Sequence, residues 1–267
     1  MLIDTMHTAK APIAPPKNIP ESIPVQNIKI IPFLKKLSCY IMPRKIRNLA
    51  LLTKGIWFDI ILIGEFFMKK DYQKELDNLL NQLDNKNKPK LLLHSCCGPC
   101  SSYVLEYLSK YFDITIYYFN PNIFPKEEYE KRLKNQLILI EKSGWTKFLP
   151  CEYNHDEFLL AARGLEKEKE GGERCTECFR IRLQKTAETA KKGGFDFFAT
   201  TLSVSPHKNA QLLGQLGEKI GEEYGIKHLP SDFKKREGYK RSIELSKKFD
   251  LYRQNYCGCE FSIREQV

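Results

Sequence analysis

The sequence lacks several features that would assign it to a familiar class. Residues 1–20 contain prolines but no positively charged start followed by an unbroken apolar run, so no secretory signal is predicted. The sequence also has no internal repeat. The 267 residues, 42% hydrophobic and 28% charged, are therefore expected to form a cytoplasmic globular protein with one large domain or two small ones.

Residues 1–67 differ in composition from the rest and are predicted to be an extension. They begin with a proline-rich stretch, and residues 1–70 carry +7 of the formal net charge of +10. Their most apolar part, residues 49–67, contains Lys54, Asp59 and Glu65, and each of these charges is costly inside a bilayer. We therefore expect no stable membrane insertion, and an extension that is poorly ordered or lies on a surface. Residues 68–267 are predicted to form the main domain.

Predicted helices and strands alternate from Lys69 onward. Short apolar runs of the buried-strand type are separated by longer segments with helical spacing. This alternation favours an α/β fold, in which helices cover both faces of a parallel sheet and ligands bind at the carboxyl ends of the strands. The predicted strands are residues 90–94, 113–119, 145–150 and 195–200, and the predicted helices are residues 71–83, 99–111, 127–142, 176–191, 209–224 and 239–252.

Nine cysteines are many for a cytosolic chain, and most of them fall in three short groups. The first group is Cys96, Cys97 and Cys100, in the turn between the first predicted strand and its helix. A helix N-terminus lowers the pKa of a nearby thiol, which suits these residues to binding metal or exchanging electrons. Three cysteines within five residues favour this chemistry over burial as small apolar side chains.

The second group is Cys175 and Cys178, at the start of a predicted helix. Zinc sites, redox dithiols and iron-sulfur sites all use this Cys-x-x-Cys spacing. Together with the first group it supplies enough thiolates for a site with four sulfur ligands.

The third group is Cys257 and Cys259, with a single glycine between them. Glycine permits a small, strained disulfide ring, so a redox relay is as reasonable as metal ligation. Cys39 and Cys151 stand alone, and both are expected to be structural.

Five motifs follow one another along the chain: Cys96-Cys97-Gly98-Pro99-Cys100, Cys175 to Leu183, Thr200 to Lys208, Ser231 to Lys235 and Tyr252 to Cys259. Their content and order resemble the QueH-type epoxyqueuosine reductase family. The resemblance covers about residues 70–262 and does not reach the extension.

The resemblance implies a Rossmann-like domain that holds a 4Fe-4S cluster and an additional mononuclear iron, without cobalamin. It also implies reduction of epoxyqueuosine to queuosine at the wobble position of a tRNA anticodon, the last step of queuosine biosynthesis, with electrons from an external donor. The implied ligands of the cluster are Cys96, Cys97, Cys175 and Cys178, and the implied redox-active disulfide joins Cys257 and Cys259. The candidates for the second iron are Cys100 and Asp232, and Asp232 is also a candidate catalytic residue.

Further residues suggest how protons and RNA are handled. His94 and His207 are candidate proton donors, although a single histidine is more often structural. The densest basic stretch of the main domain, with aromatic residues interleaved, would suit a single-stranded anticodon loop, and a solvated helix face explains it nearly as well. That stretch contains Lys234, Lys235, Arg236, Lys240 and Arg241, with Phe233 and Tyr239 between them.

Two other functions are open to a cysteine-rich chain of this kind. A tRNA-thiolating enzyme also combines such a sheet with cluster cysteines, but relatives that use ATP carry a Ser-Gly-Gly-x-Asp-Ser loop after the first strand. Here that turn reads Ser95-Cys96-Cys97-Gly98-Pro99-Cys100, which argues against ATP use. A zinc-stabilised RNA-binding module would explain the cysteines and the basic residues without catalysis.

Overall fold

The computed structural model describes residues 69–84 and 87–263, which belong to one compact unit. The strands of this part are β1 (Lys90–His94), β2 (Asp113–Tyr117), β3 (Lys147–Leu149), β4 (Phe197–Thr200) and β5 (Lys227–His228). The α-helices are α1 (Tyr72–Leu80), α2 (Gly98–Leu108), α3 (Lys126–Ser143), α4 (Asp156–Ala162), α5 (Glu173–Lys192), α6 (Ala210–Tyr224) and α7 (Gly238–Lys248). Short 3-10 helices span Thr201–Val204 and Glu260–Ser262.

The strands form a parallel sheet in the order β3-β2-β1-β4-β5. At the carboxyl end of β1, His94 lies opposite Tyr117 of β2 on one side and Thr200 of β4 on the other. The chain moves outward from β1 to β3 and then crosses to the other side of β1, so the strand order reverses there. Ligands of open parallel sheets bind in the crevice at such a reversal. The first cysteine group follows β1 directly and therefore lies at this crevice.

Helices cover both faces of the sheet because β1 is apolar on both sides. Leu91 and Leu93 pack in one apolar cluster with side chains of α2 and α7, and Leu92 packs in another with side chains of α5 and α6. All three leucines are fully buried. A strand covered on both faces reads as a continuous apolar run, as the sequence does here. The packing fixes β1 and, with it, the loop that carries the cysteines.

The α/β fold class with a parallel sheet and helices on both faces is confirmed. The strand predicted at residues 90–94 coincides with β1. The helix predicted to reach residue 252 ends at Lys248, because the chain turns at Asp250, which has a φ of +55°. Sequence periodicity missed α4 and β5, since helices and strands this short show too few repeats to stand out.

The predicted extension and Cys39 lie outside the described residues. The predicted boundary between residues 67 and 68 therefore stays a prediction. In the part of the chain that the structure describes, no helix combines the length and the apolar character needed to cross a bilayer.

Candidate active site

The first cysteine group lies in the turn that connects β1 to α2. Cys97 has an extended backbone and is the N-cap residue of α2. A Cβ atom on Gly98 would lie 3.1 Å from the carbonyl oxygen of Asn135 in α3, so glycine allows this turn to pack closely against α3. The sulfur atoms of Cys96, Cys97 and Cys100 all lie within 4.8 Å of one another. These three thiols can hold a metal ion.

Hydrogen bonds among the three thiols favour one thiolate. The pKa of Cys97 lies well below its usual value because the thiols of Cys100 and Cys96 hydrogen-bond to its sulfur. The pKa of Cys100 is raised because its thiol shares hydrogen bonds with Cys96 and Cys97, and because burial disfavours its charged form. The thiolate is the form that binds metal, so the group is suited to ligation.

Thr201, just after β4, holds Cys96 in position. Its Oγ1 accepts a hydrogen bond from the backbone N–H of Cys96 at 3.2 Å and donates to the sulfur of Cys96 at 3.4 Å. The side chain is fully buried. Thr201 stands in the motif Thr200 to Lys208, but its place in the sequence indicates no particular role. Its role becomes visible only when the sheet order brings the end of β4 beside the loop after β1.

His94 links the carboxyl ends of the strands. Its Nδ1 lies 2.9 Å from Thr200 Oγ1, and its Nε2 donates to the carbonyl oxygen of Phe119 at 3.0 Å. Burial, and then the charge of Arg182, lowers the pKa of His94 to about 3, so the ring is neutral at physiological pH. Both nitrogens are occupied, which favours a structural role over proton donation. His207, the other candidate, is exposed.

The second and third cysteine groups pack against each other. Cys175 lies in the first turn of α5, where its sulfur accepts a hydrogen bond from the N–H of Gly171 at 3.2 Å. Cys178 and Cys259 are buried in one apolar cluster, and burial raises the pKa of Cys178 to about 12 and also raises the pKa of Cys259. Cys257 and Cys259 are free thiols in the structure, so the disulfide between them stays a prediction.

Two largely buried cations lie among these cysteines. The ammonium nitrogen of Lys208 lies 3.0 Å from the sulfur of Cys257 and 3.8 Å from the carboxylate of Glu170. Arg182 is 2% exposed and donates to the carbonyl oxygen of Cys178 at 3.0 Å. Within the described ranges, Arg182 has no carboxylate partner. A buried cation of this kind favours negatively charged groups beside it.

A cavity of about 570 Å³ joins the first and third cysteine groups, because Cys96, Cys100 and Cys257 all line it. Arg182 and Lys208 line it as well. Its volume is in the range of cavities that bind small molecules or single nucleosides. A second cavity, of about 510 Å³ beside α4, has no cysteine in its lining. The first cavity is therefore the candidate active site.

The C-terminal segment is fixed beside this cavity by α3 and the loop before it. Arg132 of α3 donates to the carbonyl oxygen of Cys257 at 3.1 Å, and its guanidinium pairs with Glu128 at 2.6 Å. The N–H of Phe124 donates to the carbonyl oxygen of Gly258 at 2.8 Å. Arg132 does not stand out in the sequence, because it belongs to no motif and its helical spacing resembles that of solvated neighbours.

The model of the family "Epoxyqueuosine reductase QueH" matches residues 91–265. This chain belongs to the QueH family. A relative named epoxyqueuosine reductase QueH, from Staphylococcus epidermidis, is 45% identical over 206 residues, which cover 74% of this chain and 87% of that protein. A QueH relative from Thermotoga maritima is 36% identical over 185 residues, which cover 66% of this chain and 91% of the relative.

Among solved structures, the chain is similar to the U34-tRNA thiolase NcsA from Methanococcus maripaludis with its [4Fe-4S] cluster. It aligns with a TM-score of 0.45 and 14% identity, covering 72% of this chain and 67% of that one. A likeness at this level carries no argument about function.

The ligands that the sequence resemblance implied do not all converge in the structure. Among the described residues, Cys96, Cys97 and Cys100 are the set of potential ligands whose donor atoms converge. Cys175, Cys178 and Asp232 lie outside that set. The Oδ1 atom of Asp232 is buried, lies 3.8 Å from the ammonium of Lys234 and has no hydrogen-bond partner in the described part of the chain.

The basic stretch around α7 is largely neutralised by acidic residues. A paired charge is less available for phosphate, so the structure favours the solvated-face interpretation over the RNA-binding one at these positions. The ion pairs are Lys235 with Asp71 at 2.7 Å, Lys240 with Glu237 at 3.4 Å, Arg241 with Glu106 at 2.7 Å, and Arg236 with Asp77.

The cysteines fit an iron-sulfur group by the chemistry of their donors. Thiolates are the usual ligands of iron-sulfur clusters, and converging thiols supply them here. The buried guanidinium of Arg182 supplies positive charge beside Cys178, which would offset the negative charge of a thiolate-ligated cluster.

Proposed function

We propose that this chain is an epoxyqueuosine reductase that forms queuosine at the wobble position of a tRNA anticodon. Family membership supports the reaction. We assign the reaction to this site because Cys96, Cys100 and Cys257 line one cavity. A ligand in that cavity would lie next to both the metal-binding thiols and one thiol of the candidate redox pair.

The reaction requires a source of electrons and protons. Conversion of an epoxide to an alkene consumes two electrons and two protons and releases water. Oxidation of the thiols of Cys257 and Cys259 to a disulfide releases two electrons and two protons, so one turnover balances. An external reductant must then reduce the disulfide before the next turnover.

The proposed ligands of a 4Fe-4S cluster are Cys96, Cys97, Cys175 and Cys178. When bound, iron of this kind supplies one-electron transfer and Lewis acidity toward oxygen. Thr201 would orient Cys96, and Arg182 would offset the negative charge near Cys178.

A second, mononuclear iron is proposed beside the cluster, with Cys100 and Asp232 as candidate ligands. The two candidates differ in support. The sulfur of Cys100 lies within 4.8 Å of those of Cys96 and Cys97, whereas Asp232 is not in the converging set. We propose that the reaction uses no cobalamin.

Recognition of the tRNA is proposed to use aromatic side chains at the cavity. Tyr239 lines the cavity and its side chain is 38% exposed. The guanidinium of Arg253 lies 5.7 Å from the centre of the Tyr239 ring. Unstacked RNA bases bind by stacking on aromatic rings and guanidinium planes, and a base must leave its stack to reach a buried site.

The deciding experiment is purification without oxygen followed by metal analysis and a reductase assay. We expect a brown protein that contains iron and acid-labile sulfide and converts epoxyqueuosine in tRNA to queuosine when a reductant is supplied. A colourless protein that holds zinc and binds RNA without converting it would contradict the proposal and favour the RNA-binding module. ATP-dependent incorporation of sulfur into tRNA would favour the thiolating enzyme.

A further inference from the structure

Two hydrogen-bond acceptors in the candidate active site have no partner in the part of the chain that the structure describes. Asn122 is 1% exposed, and its Oδ1 has no hydrogen-bond partner among residues 69–84 and 87–263. The buried Oε1 of Gln254 also has no hydrogen-bond partner among these residues. Both residues line the cavity that contains Cys96, Cys100 and Cys257. Buried acceptors without partners are uncommon and costly, so this pair is suited to a ligand that supplies donors.

Asn122 is held rigidly by the residues around it. The carbonyl oxygen of Pro121 lies 2.7 Å from Nδ1 of His155, and the carbonyl oxygen of Ile123 accepts a hydrogen bond from the hydroxyl of Tyr153 at 2.6 Å. The backbone on both sides of Asn122 is therefore fixed. An acceptor fixed before binding loses little conformational entropy when a ligand donates to it.

The chain just before Gln254 is held by hydrogen bonds. The N–H of Tyr252 donates to the side chain of Asn135 at 2.8 Å, and Arg253 donates to the hydroxyl of Ser246 at 3.1 Å. The side chain of Gln254 is also one of the groups that lower the pKa of the Cys97 thiol. Its unpaired oxygen therefore belongs to a side chain that lies close to the metal-binding group.

Asn120 shows what a structural asparagine looks like in the same loop. Its Nδ2 donates to the carbonyl oxygen of Ser95 at 2.7 Å, and its Oδ1 accepts from Arg182 at 3.5 Å. Both ends of its amide are therefore used within the protein. Asn120 therefore has a structural role. Asn122, two residues further on, differs because its side-chain oxygen has no hydrogen-bond partner among the described residues.

We propose that Asn122 and Gln254 form a subsite that accepts hydrogen bonds from a pair of donors on the substrate nucleoside. The inference rests on the proposed function, and it deepens it by naming the residues that select the substrate. An epoxyqueuosine nucleoside carries two such donor pairs, the hydroxyls of its cyclopentyl ring and the N–H groups on the guanine-type edge of its base. A site that hydrogen-bonds a donor rejects analogues that lack it, because its own acceptors then stay unpaired.

Binding to RNA that cannot be turned over tests the subsite. The probes are an anticodon stem-loop with queuosine at the wobble position and the same stem-loop with guanosine, which keeps the base edge and lacks the cyclopentyl hydroxyls. The variants are Asn122→Leu and Gln254→Leu, with Asn122→Ala as a smaller replacement in case leucine disturbs folding. The matched control is Gln82→Leu, since Gln82 is exposed and does not line the cavity. Dissociation constants are measured without oxygen on variants whose iron content and melting temperature match the wild type.

We expect Asn122→Leu and Gln254→Leu each to weaken binding of the queuosine stem-loop about fivefold or more, the effect of losing one ordinary hydrogen bond. Gln82→Leu should leave it unchanged. Equal weakening toward the guanosine stem-loop identifies the base edge as the donor pair, and weakening toward the queuosine stem-loop alone identifies the hydroxyls. Unchanged binding in folded, iron-containing variants overturns the subsite, as does an equal loss in the control. Failure of the wild type to reduce epoxyqueuosine overturns the proposed function instead.

Discussion

The ammonium group of Lys208 lies 3.0 Å from the sulfur of Cys257, and only 9% of the lysine side chain is exposed. Cys259, two residues further on, packs instead with Cys178 in an apolar cluster. The two sulfurs of the candidate redox pair therefore have different surroundings. Cys257 lines the cavity beside a cation, whereas Cys259 is enclosed. This difference suits Cys257 to contact with substrate or reductant and Cys259 to the role of its buried partner.

Replacing both Cys257 and Cys259 by serine should separate electron supply from metal binding. We expect the double variant to retain its iron but to lose multiple turnover, because it has no dithiol to oxidise. The measurement is iron content together with conversion of epoxyqueuosine tRNA beyond one equivalent of enzyme. Parallel loss of iron and activity would show that the pair ligates metal, and full multiple turnover would show that it has no redox role.

Replacing Cys96, Cys97, Cys175 or Cys178 by serine should lower cluster content, because a hydroxyl is a poor substitute for a thiolate on iron. Cys100→Ser belongs in the same series, since its sulfur lies within 4.8 Å of those of Cys96 and Cys97. The matched control is Cys151→Ser, at a cysteine outside the converging set. Iron, sulfide and visible absorption are measured for each. Normal values at all four proposed positions contradict the ligand assignment, and a loss confined to Cys100→Ser would transfer the role to that residue.

Deleting residues 1–67 should leave reductase activity on modified tRNA largely intact. The family match begins at residue 91, and every proposed ligand and cavity residue follows it. The measurement is the rate of epoxyqueuosine reduction per iron-loaded enzyme, for the truncated and the full chain. A truncated protein that folds and holds its cluster but cannot reduce substrate would assign a function to the extension.

Acid should destabilise the fold partly through His228. Burial, and then the charge of Lys70, lowers the pKa of His228 to about 4, and its Nδ1 is buried without a partner in the described structure. Because the folded pKa lies below the unfolded value of about 6.5, the unfolded chain takes up the proton first as the pH falls. Stability from this group is therefore lost between about pH 6.5 and pH 4, by at most on the order of 3 kcal/mol.

His228→Leu tests that contribution. We expect the variant to lose less unfolding free energy than the wild type between pH 6.5 and pH 4, as measured by urea denaturation at several pH values. The comparison is a difference between two proteins with the same carboxylates, so other titrating groups largely cancel. Identical pH dependence of the two proteins contradicts the prediction.

Gly238→Ala should destabilise the fold through a steric conflict. A Cβ atom at the start of α7 would overlap the carbonyl oxygen of Phe233, so the backbone must move. We expect a loss of about 2–4 kcal/mol in unfolding free energy, measured by urea denaturation. Lys240→Ala in the same helix is the control and should change the unfolding free energy by about 0.5 kcal/mol or less, because its side chain is exposed. Equal stability of Gly238→Ala and the wild type would refute the conflict.

The alternation of apolar runs and helical segments was enough to predict the fold class, because each element carries its own periodic signal. The location of Cys96 at the carboxyl end of β1 followed from the same reasoning. Periodicity does not reveal which strands become neighbours. The contact between Thr201 and Cys96 depends on β4 crossing to the far side of β1, and no local pattern encodes that crossing.

The roles of the charged and polar residues in the candidate site were also not predictable from local sequence patterns. The cysteine groups stood out because their spacing is unusual, whereas Arg132 and Asn122 resemble many ordinary residues of their type. Their significance comes from burial and from partners distant in sequence, such as the carbonyl oxygen of Cys257 for Arg132. Conversely, the basic residues around α7 looked suited to RNA until the structure paired most of them with carboxylates.

The attachment of the C-terminal segment to α3 has a consequence for biosynthesis. The ribosome makes Cys96, Cys97 and Cys100 early and Cys257 late, and Arg132 cannot hold the carbonyl group of Cys257 before that residue has emerged. In the nascent chain, these three cysteines are therefore made before the segment that lines the other part of the cavity. A metal delivered during translation would bind thiols that the C-terminal segment does not yet enclose. A metal delivered after the synthesis of Cys257 would enter a cavity that is already complete.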